Sequence, residues 1–551
     1  MTGSDLIVQI LIDSGVTVCF GYPGGAAMPL YDALYKKRDK LKHIRTAHEQ
    51  GASHAADGYA RVSGKLGVCI ATSGPGSTNL VTGIATALSD SSHVLFITAN
   101  VNASEIGSDS FQEADIAGIT NPVCKYNWVV RDPYRLASTV KKAIRLACKG
   151  RPGPVLLDIP HDILSYQFPK DYTPDDTGDD LQEARSPEVP EVEDDTVSKI
   201  YTLLKNAERP VIIAGGGAVR SGAYEDLSRF AHNTGIPVAS TLMATGILPY
   251  NDPLNLGMLG VYGDPDAVDY VDRADVVLAL GMRFSNRTHG SVSAGKTVIH
   301  VDSDISELNK NVEATVPVNG DAKAVLASLC GKFDEDPSKE EGFGRKYRKK
   351  LTRGPGDTGA NRPGKYLFSE AKDKIVSDAF SMIKEKLGDV FVVTDVGLHQ
   401  MAAARLYPFE RPGRLITSGG FGTMGFGLGA SVGASFACAE LTDKKTNTVL
   451  VSGDGSFRMS LVELAAVREN RIKMLILVLN NNVLGMVREM QKEFYGRRYI
   501  ATESHLSMPD FRIIAKAYGL SGFTARDLKE FEKALDSYII GSKPALIDLR
   551  L

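Results

Sequence analysis

Two short polar turns in the last third of the chain carry residues able to hold a hard cation. Gly453-Asp454-Gly455-Ser456 follows the apolar run Thr448–Ser452, and Asn480-Asn481 follows the run Met474–Leu479, so that Asp454 and Asn481 lie 27 positions apart. That interval holds one helix and one strand. In a parallel α/β sheet two such strands deliver their C-terminal ends side by side, which brings a carboxylate and an amide oxygen onto one cation. Both are hard ligands suited to Mg²⁺, an ion that keeps an incomplete protein shell and fills the rest with phosphate oxygens and water. The glycines allow the turn and let backbone approach a phosphate. Either turn alone is ordinary strand-to-helix punctuation; the pair at this spacing is a candidate Mg²⁺ and diphosphate site.

The elements that must position these turns recur along the chain. Short β-branched runs alternate with helix-length patterns: Gly67–Ala71, His93–Thr98, Pro154–Asp158, Pro210–Ala214, Asp275–Leu280, Val390–Thr394, and the two runs above. That rhythm predicts parallel α/β sheets. Two stretches break it, one from about 170 to 195 rich in Pro, Asp and Glu, one from about 334 to 363 dense in Lys, Arg, Glu, Gly and Pro, and both read as linkers. The cuts leave units at residues 1–168, 190–332 and 365–551. The predicted fold class is therefore α/β, with three consecutive doubly wound parallel-sheet domains. A chain of 551 residues also exceeds what one hydrophobic core serves.

Composition narrows the function. A net charge of −3 with 23% charged residues offers no basic field for nucleic acid. The six cysteines are scattered without a CxxC pair, which argues against a zinc site or a disulfide framework and favours a reducing interior. The opening run Asp5–Ile12 lacks a basic leader region and is too short to span a membrane. The expectation is a cytoplasmic protein with neither nucleic-acid nor membrane partners; an organelle transit peptide removed beforehand would leave no trace.

Further segments occur in order: Gly21-Tyr-Pro-Gly-Gly-Ala, His48-Glu-Gln-Gly-Ala, Gly74-Pro-Gly-Ser-Thr-Asn, Phe111-Gln-Glu-Ala-Asp, Gly150-Arg-Pro-Gly-Pro-Val, Thr417-Ser-Gly-Gly-Phe-Gly-Thr-Met-Gly-Phe-Gly and Leu484-Gly-Met-Val-Arg. Together with the paired turns they resemble, over nearly the whole chain, the catalytic subunit of acetolactate (acetohydroxyacid) synthase, a thiamine-diphosphate-dependent family. The resemblance implies an aminopyrimidine-binding first unit, a central unit and a diphosphate-binding third unit. It implies decarboxylation of pyruvate and carboligation to a second 2-oxo acid, the cofactor acting as electron sink. Glu49 would hydrogen-bond N1′ of the aminopyrimidine and drive it to the imino tautomer that takes the C2 proton, which demands a dry carboxylate within reach. Gly25, Phe111 and Gln112 would lie close to the reacting carbon. Val396, Gly397 and His399 would lie near the diphosphate and Met424 beneath the bent cofactor, with Tyr22, Pro23, Gly422, Gly453, Gly455, Ser456, Leu484, Gly485, Met486 and Val487 lining it. Mg²⁺ would be held by Asp454, Asn481 and Val483.

The middle unit carries Gly215-Gly-Gly after a strand, then Thr241-Leu-Met, Gly281-Met-Arg-Phe, Val301-Asp302 and Gly320-Asp-Ala. A glycine triplet after a strand proves little alone, since tight βα turns need glycine regardless. The succession resembles the flavin domain of the family, where FAD serves structure and not redox; Arg151, Gly216, Gly217, Thr241, Leu242, Arg283, Asp302 and Asp321 would line it. Relatives of this fold also exist without flavin.

Three positions depart from the family on the substrate side. Met490 stands where a tryptophan is usual, Val261-Tyr262 replaces Met-His, and Phe284-Ser-Asn-Arg replaces Phe-Asp-Asp-Arg. Arg287 survives and would pair with the carboxylate of an acceptor 2-oxo acid. The tryptophan shapes the pocket favouring 2-oxobutyrate, so that preference should weaken. The sequence ends at Ala545–Leu551, ahead of an arm that closes over the site in many relatives, which leads to an expectation of looser water exclusion. The resemblance further implies a homodimer or homotetramer with sites between subunits, and a regulatory subunit is common in the family. Two alternatives stay open: another decarboxylase or acyl-transferring carboligase of this fold, and a cofactor-binding protein without catalysis. The presence of Glu49, Asp454 and Asn481 together weighs against the second.

Overall fold

The computed structural model describes residues 1–173, 190–288, 292–338, 367–441, 448–504 and 507–551. The two expected linkers lie largely outside these residues. Their described edges are helical, with Asp194–Asn206 opening after the first and Ala322–Glu335 running into the second.

Each of the β-branched runs named above forms a strand, whereas the opening run Asp5–Ile12 lies in the helix Gly3–Asp13; the strands form three six-stranded sheets. The first holds β1 (Val18–Gly21), β2 (Lys42–Arg45), β3 (Gly67–Ala71), β4 (Val94–Asn100), β5 (Tyr126–Val129) and β6 (Val155–Pro160), in the order β2-β1-β3-β4-β6-β5. The second holds β7 (Pro210–Ala214), β8 (Val238–Ser240), β9 (Asn255–Met258), β10 (Val276–Leu280), β11 (Thr297–Asp302) and β12 (Val316–Asn319), in the order β12-β11-β10-β7-β8-β9. The third holds β13 (Phe391–Thr394), β14 (Leu415–Ile416), β15 (Thr448–Gly453), β16 (Met474–Asn480), β17 (Ser521–Ala525) and β18 (Ala545–Arg550), in the order β14-β13-β15-β16-β18-β17. Pairing is parallel along β13, β15, β16 and β18, and the central strands are buried from end to end, because helices cover both faces.

The strand orders locate the crevices. In each sheet the chain goes from its first strand to one side and later returns on the other, opening a cleft beyond the strand ends where ligands bind in such folds. That reversal falls between β1 and β3, between β7 and β10, and between β13 and β15. The first and third sheets share one order; the middle sheet has the order of dinucleotide-binding folds.

By contacts the chain divides into two compact units. Residues 1–187, 390–400 and 416–551 form one, which carries the first and third sheets, and residues 188–389 and 401–415 form the other, around the middle sheet. Within the first unit the helix Glu49–Ser63 packs on the helix Phe426–Leu441 through small residues. A Cβ on Gly433 would stand 1.8 Å from the Ala55 carbonyl oxygen, and one on Gly58 would stand 2.2 Å from that of Ala430. The two backbones touch, so a side chain at either position forces the helices apart. One hydrophobic cluster runs through the seam, from Phe20 and Tyr59 to Phe426, Leu450 and Ile476.

Candidate active site

At the third sheet's crevice the two polar turns meet. Gly453 pairs with Leu479 in register, so the chain leaves β15 and β16 side by side. Asp454 opens the short helix Asp454–Arg458, and the backbone N–H of Asn481 donates to its carboxylate. The Asp454 side chain is buried, and its Oδ2 has no hydrogen-bond partner among the described residues. Burial pushes its carboxyl up to about 6, against the pull of the N–H donors. A buried carboxylate oxygen left open beside an amide is costly unless something occupies it. Asn481 Oδ1 accepts one bond, from the Val483 N–H at 3.2 Å, leaving its second lone pair. The pairing of a carboxylate with an amide oxygen fits a hard divalent cation.

The same crevice collects the other residues expected at the diphosphate end. Ser456 Oγ donates to the Val396 carbonyl at 2.7 Å, tying the two sides together. A Cβ on Gly453 would stand 2.5 Å from His399 Nδ1, and one on Gly455 would stand 2.4 Å from Leu484 Cδ2; one on Gly485 would stand 2.4 Å from Leu398 Cδ1. These glycines keep the turns close-packed. His399 is buried, and burial lowers its pKa to about 3, so its ring is neutral. Its Nε2 has no partner among the described residues. Asp395, which the sequence reading passed over, holds the floor: its Oδ1 accepts from the N–H of Val396 at 2.9 Å and of Gly425 at 2.8 Å, and its Oδ2 from that of Gly427 at 3.3 Å. Met424 lies half-buried on the loop so fixed, and Gly422 is exposed with φ +74°. Met486 and Val487 lie on the helix Gly485–Phe494, which buries none of its residues.

At the first sheet's crevice the loops after β1 and β3 cross. A Cβ on Gly24 would stand 2.4 Å from Thr72, and one on Gly74 would stand 2.7 Å from the Gln112 carbonyl oxygen, so the segments of Gly25 and Gln112 adjoin this crossing. Gln112 takes φ +60°, and Phe111 beside it is 88% exposed. Tyr22 and Gly25 are exposed, and Pro23 is half-buried. Glu49 is the first residue of its helix, which His48 caps by accepting the Gln50 N–H on Nδ1 at 3.0 Å. Glu49 is 8% exposed, and its Oε2 accepts from Asn79 Nδ2 at 2.9 Å. Its Oε1 points toward Gly76, 3.3 Å from where a Cβ would stand. Thr72 Oγ1 is buried there without a partner among the described residues. Sequence reasoning missed Asn79 and Thr72, although Asn79 closes the Gly74–Asn79 segment it quoted.

In the second unit, Gly215 and Gly217 lie against the loop after β10: a Cβ on Gly217 would stand 2.6 Å from Gly281 Cα, and one on Gly215 would stand 2.2 Å from the Gly281 carbonyl oxygen. Two glycine loops therefore cross at the middle sheet's crevice, bringing Gly216 and the Met282–Arg283 segment to it. Thr241 and Leu242 follow β8, and Asp302 ends β11. Asp321 caps the helix Ala322–Glu335 by accepting the N–H groups of Lys323 and Ala324, which explains that residue without a ligand. Arg151 belongs to the other unit, where its Nε donates to Ser91 Oγ at 2.9 Å. Arg287 is exposed, and its carbonyl accepts the Val261 N–H at 3.1 Å, so two of the departing segments are neighbours.

Crevices built in this way, with an open carboxylate and glycine-lined turns, define a cofactor-dependent enzyme that grips a diphosphate. Comparison with known proteins agrees. The N-terminal and C-terminal thiamine pyrophosphate-binding domains of thiamine pyrophosphate enzymes match residues 1–119 and 395–549, and the central domain matches residues 197–329. The chain is 39% identical to a probable acetolactate synthase large subunit of Methanocaldococcus jannaschii, over 100% of this chain and 92% of that protein. It is 39% identical to an acetolactate synthase of Arthrospira platensis, over 100% and 94%, and 37% identical to an acetolactate synthase large subunit of Haemophilus influenzae, over 100% and 94%. The chain belongs to the acetolactate synthase large-subunit family of thiamine pyrophosphate enzymes. No described helix is long and apolar enough to cross a membrane.

Proposed function

We propose that this chain decarboxylates pyruvate and joins the resulting two-carbon unit to a second 2-oxo acid, giving acetolactate or a related acetohydroxyacid. The observation carrying the reading is the open, buried carboxylate oxygen of Asp454 beside Asn481, at the crevice where Gly453, Gly455 and His399 close-pack. Thiamine diphosphate, when bound, supplies the electron sink for loss of CO₂. Asp454, Asn481 and the Val483 carbonyl would hold Mg²⁺, while Ser456, donating to the Val396 carbonyl, keeps the turn in shape. Glu49, oriented by Asn79, accepts from N1′ of the aminopyrimidine in a pocket dry enough for the bond to count. Gly25, Phe111 and Gln112 would lie near the reacting carbon, and Arg287 would pair with the acceptor carboxylate.

The domain limits proposed are 1–168 for aminopyrimidine, 190–332 for a central flavin domain and 365–551 for diphosphate. FAD in the central domain is supported by the dinucleotide strand order and by the glycine crossing at its crevice. Assembly as a homodimer or homotetramer, with each site between subunits, is supported by Tyr22, Met28, Phe111, Phe421 and Met459, large apolar side chains left exposed on the segments that carry the site. A regulatory subunit accords with the "large subunit" in the relatives' names, and a cytoplasmic location with the scattered cysteines.

The test is incubation with pyruvate, Mg²⁺ and thiamine diphosphate, with and without FAD and 2-oxobutyrate, followed by identification of every product. Acetolactate is the expected product. The departures at Val261, Asn286 and Met490 favour one second reading, a decarboxylase or carboligase for a different 2-oxo acid, and free aldehyde as the dominant product would establish it.

A further inference from the structure

A buried acid outside the set considered so far stands directly behind Glu49. Glu463 ends the turn Leu461–Glu463, in the segment that follows Asp454, and is 1% exposed. Its two oxygens accept from the N–H groups of Ala47 at 3.1 Å and His48 at 3.0 Å, the two residues that lead into the helix Glu49–Ser63. Room for the carboxylate comes from the missing side chain of Gly51, whose Cβ would stand 2.0 Å from Glu463 Oε1. No cation pairs with Glu463 among the described residues; burial first, and then the charge of Glu49, push its carboxyl up to about 7. A carboxylate desolvated without a counter-ion is a costly way to satisfy two N–H groups. The cost is consistent with a task of orientation: both bonds fix the backbone immediately before Glu49 and so set the direction in which its carboxylate leaves the helix.

We propose that Glu463 is a positioning residue for Glu49, holding the first turn of the Glu49–Ser63 helix so that the Glu49 carboxylate meets the aminopyrimidine in line. The inference rests on the activating role of Glu49 in the proposed function. It differs from a purely structural account in one respect: displacing Glu463 must impair activation of the cofactor ring more than it impairs folding or cofactor binding.

Two variants test it. Glu463→Gln turns one acceptor oxygen into a donor facing an N–H. Gly51→Ala leaves Glu463 in place but pushes its flexible end off the helix start, while adding a residue helices favour. In each, four quantities are measured: the thermal midpoint, the affinity for thiamine diphosphate with Mg²⁺, amide hydrogen exchange across residues 45–52 in cofactor-free protein, and the rate at which the C2 proton of bound cofactor exchanges with solvent, read by NMR at saturation. The expected result is a folded protein with cofactor affinity within about threefold of wild type, faster amide exchange at Ala47 and His48, and C2 exchange slowed by about 10²-fold, the order expected for a displacement of about 1 Å. Adding Glu463→Gln to a Glu49→Gln protein produces no further slowing of C2 exchange, because the group being positioned is already gone. Wild-type C2 exchange rates in folded Gly51→Ala protein, whether or not Glu463→Gln folds, overturn the inference alone. A wild type that fails to accelerate C2 exchange over free cofactor overturns the proposed function and the inference with it.

Discussion

The seam between the helices Glu49–Ser63 and Phe426–Leu441 makes the sharpest prediction about how this fold serves its site. Replacing Gly433 by alanine adds one methyl group, whose carbon would stand 1.8 Å from the Ala55 carbonyl oxygen, 2.6 Å from the Ala55 carbonyl carbon and 2.8 Å from the Tyr59 nitrogen. Ordinary contact begins at 3.4 Å, so the helices must part by about 1.6 Å along that line. All three obstacles are backbone, and no rotamer change relieves them. Overpacking of a well-filled core costs about 1–3 kcal/mol, and the upper end applies because parting the seam also forfeits dispersion contacts along both helices. For a unit of more than 300 residues, whose unfolding entropy is about 2.1 cal/mol/K per residue, that lowers the melting midpoint by about 4 °C. Because Glu49 begins the displaced helix, turnover at saturating cofactor should fall by about 10²-fold. The control is Gly331→Ala, in the helix Ala322–Glu335, where a Cβ meets nothing within 4 Å and helix propensity should add about 0.5–1 kcal/mol. Calorimetric or urea-induced unfolding of the two variants, alongside pyruvate turnover, checks the reasoning. A Gly433→Ala protein that melts with wild type would refute it, since no backbone-to-backbone contact of that kind can then exist at the seam.

Glu49→Gln keeps the length and the Asn79 partner but loses the carboxylate, so C2 deprotonation and turnover should fall by about 10²–10⁴-fold with cofactor affinity nearly retained; near wild-type turnover would end that assignment. Asp454→Asn removes the open anionic oxygen, and calorimetric titration should show Mg²⁺-dependent binding of thiamine diphosphate abolished, while the cofactor-free protein melts no lower than wild type. Asp158 is buried with Thr98 Oγ1 at 2.7 Å and Asn100 Nδ2 at 2.6 Å, and burial pushes its carboxyl up to about 6. The folded protein thus holds a proton that the unfolded chain releases near pH ~4, so this group's contribution to stability falls as pH rises from about 4 to about 6. Urea midpoints across that range should decline less steeply in Asp158→Asn than in wild type, and an identical slope would count against the assignment. Met490→Trp, at a half-exposed site on the helix Gly485–Phe494, should shift competition between acceptors toward 2-oxobutyrate by about tenfold or more; an unchanged product ratio would show that position 490 does not line the acceptor pocket.

Local chemistry carried much of this protein in plain view. Alternating β-branched runs and glycine turns specify parallel α/β sheets, because both signals act over a few residues. The adjacency of Asp454 and Asn481 was legible for the same reason: two strands joined by a short helical crossover, here Asp454–Arg458 followed by Leu464–Glu469, have few ways to lie in a parallel sheet. Strand order was not legible, and with it went the finding that the first and third sheets share one topology while the middle sheet has another. Nor did periodicity disclose the partners of Glu49, since Asn79 is 30 positions away and follows β3 while Glu49 follows β2, the two strands being brought together by β1 between them. Glu463 lies 415 positions from His48, and its role exists only because two helices rich in glycine and alanine let the first and third sheets close on each other. The glycines of the middle sheet, which prove little as a sequence, form a crossing of two loops at a crevice. Identity and turn chemistry belong to the chain; which buried acid faces which helix start is decided by long-range packing, where the energy of a contact bears no relation to its separation in sequence.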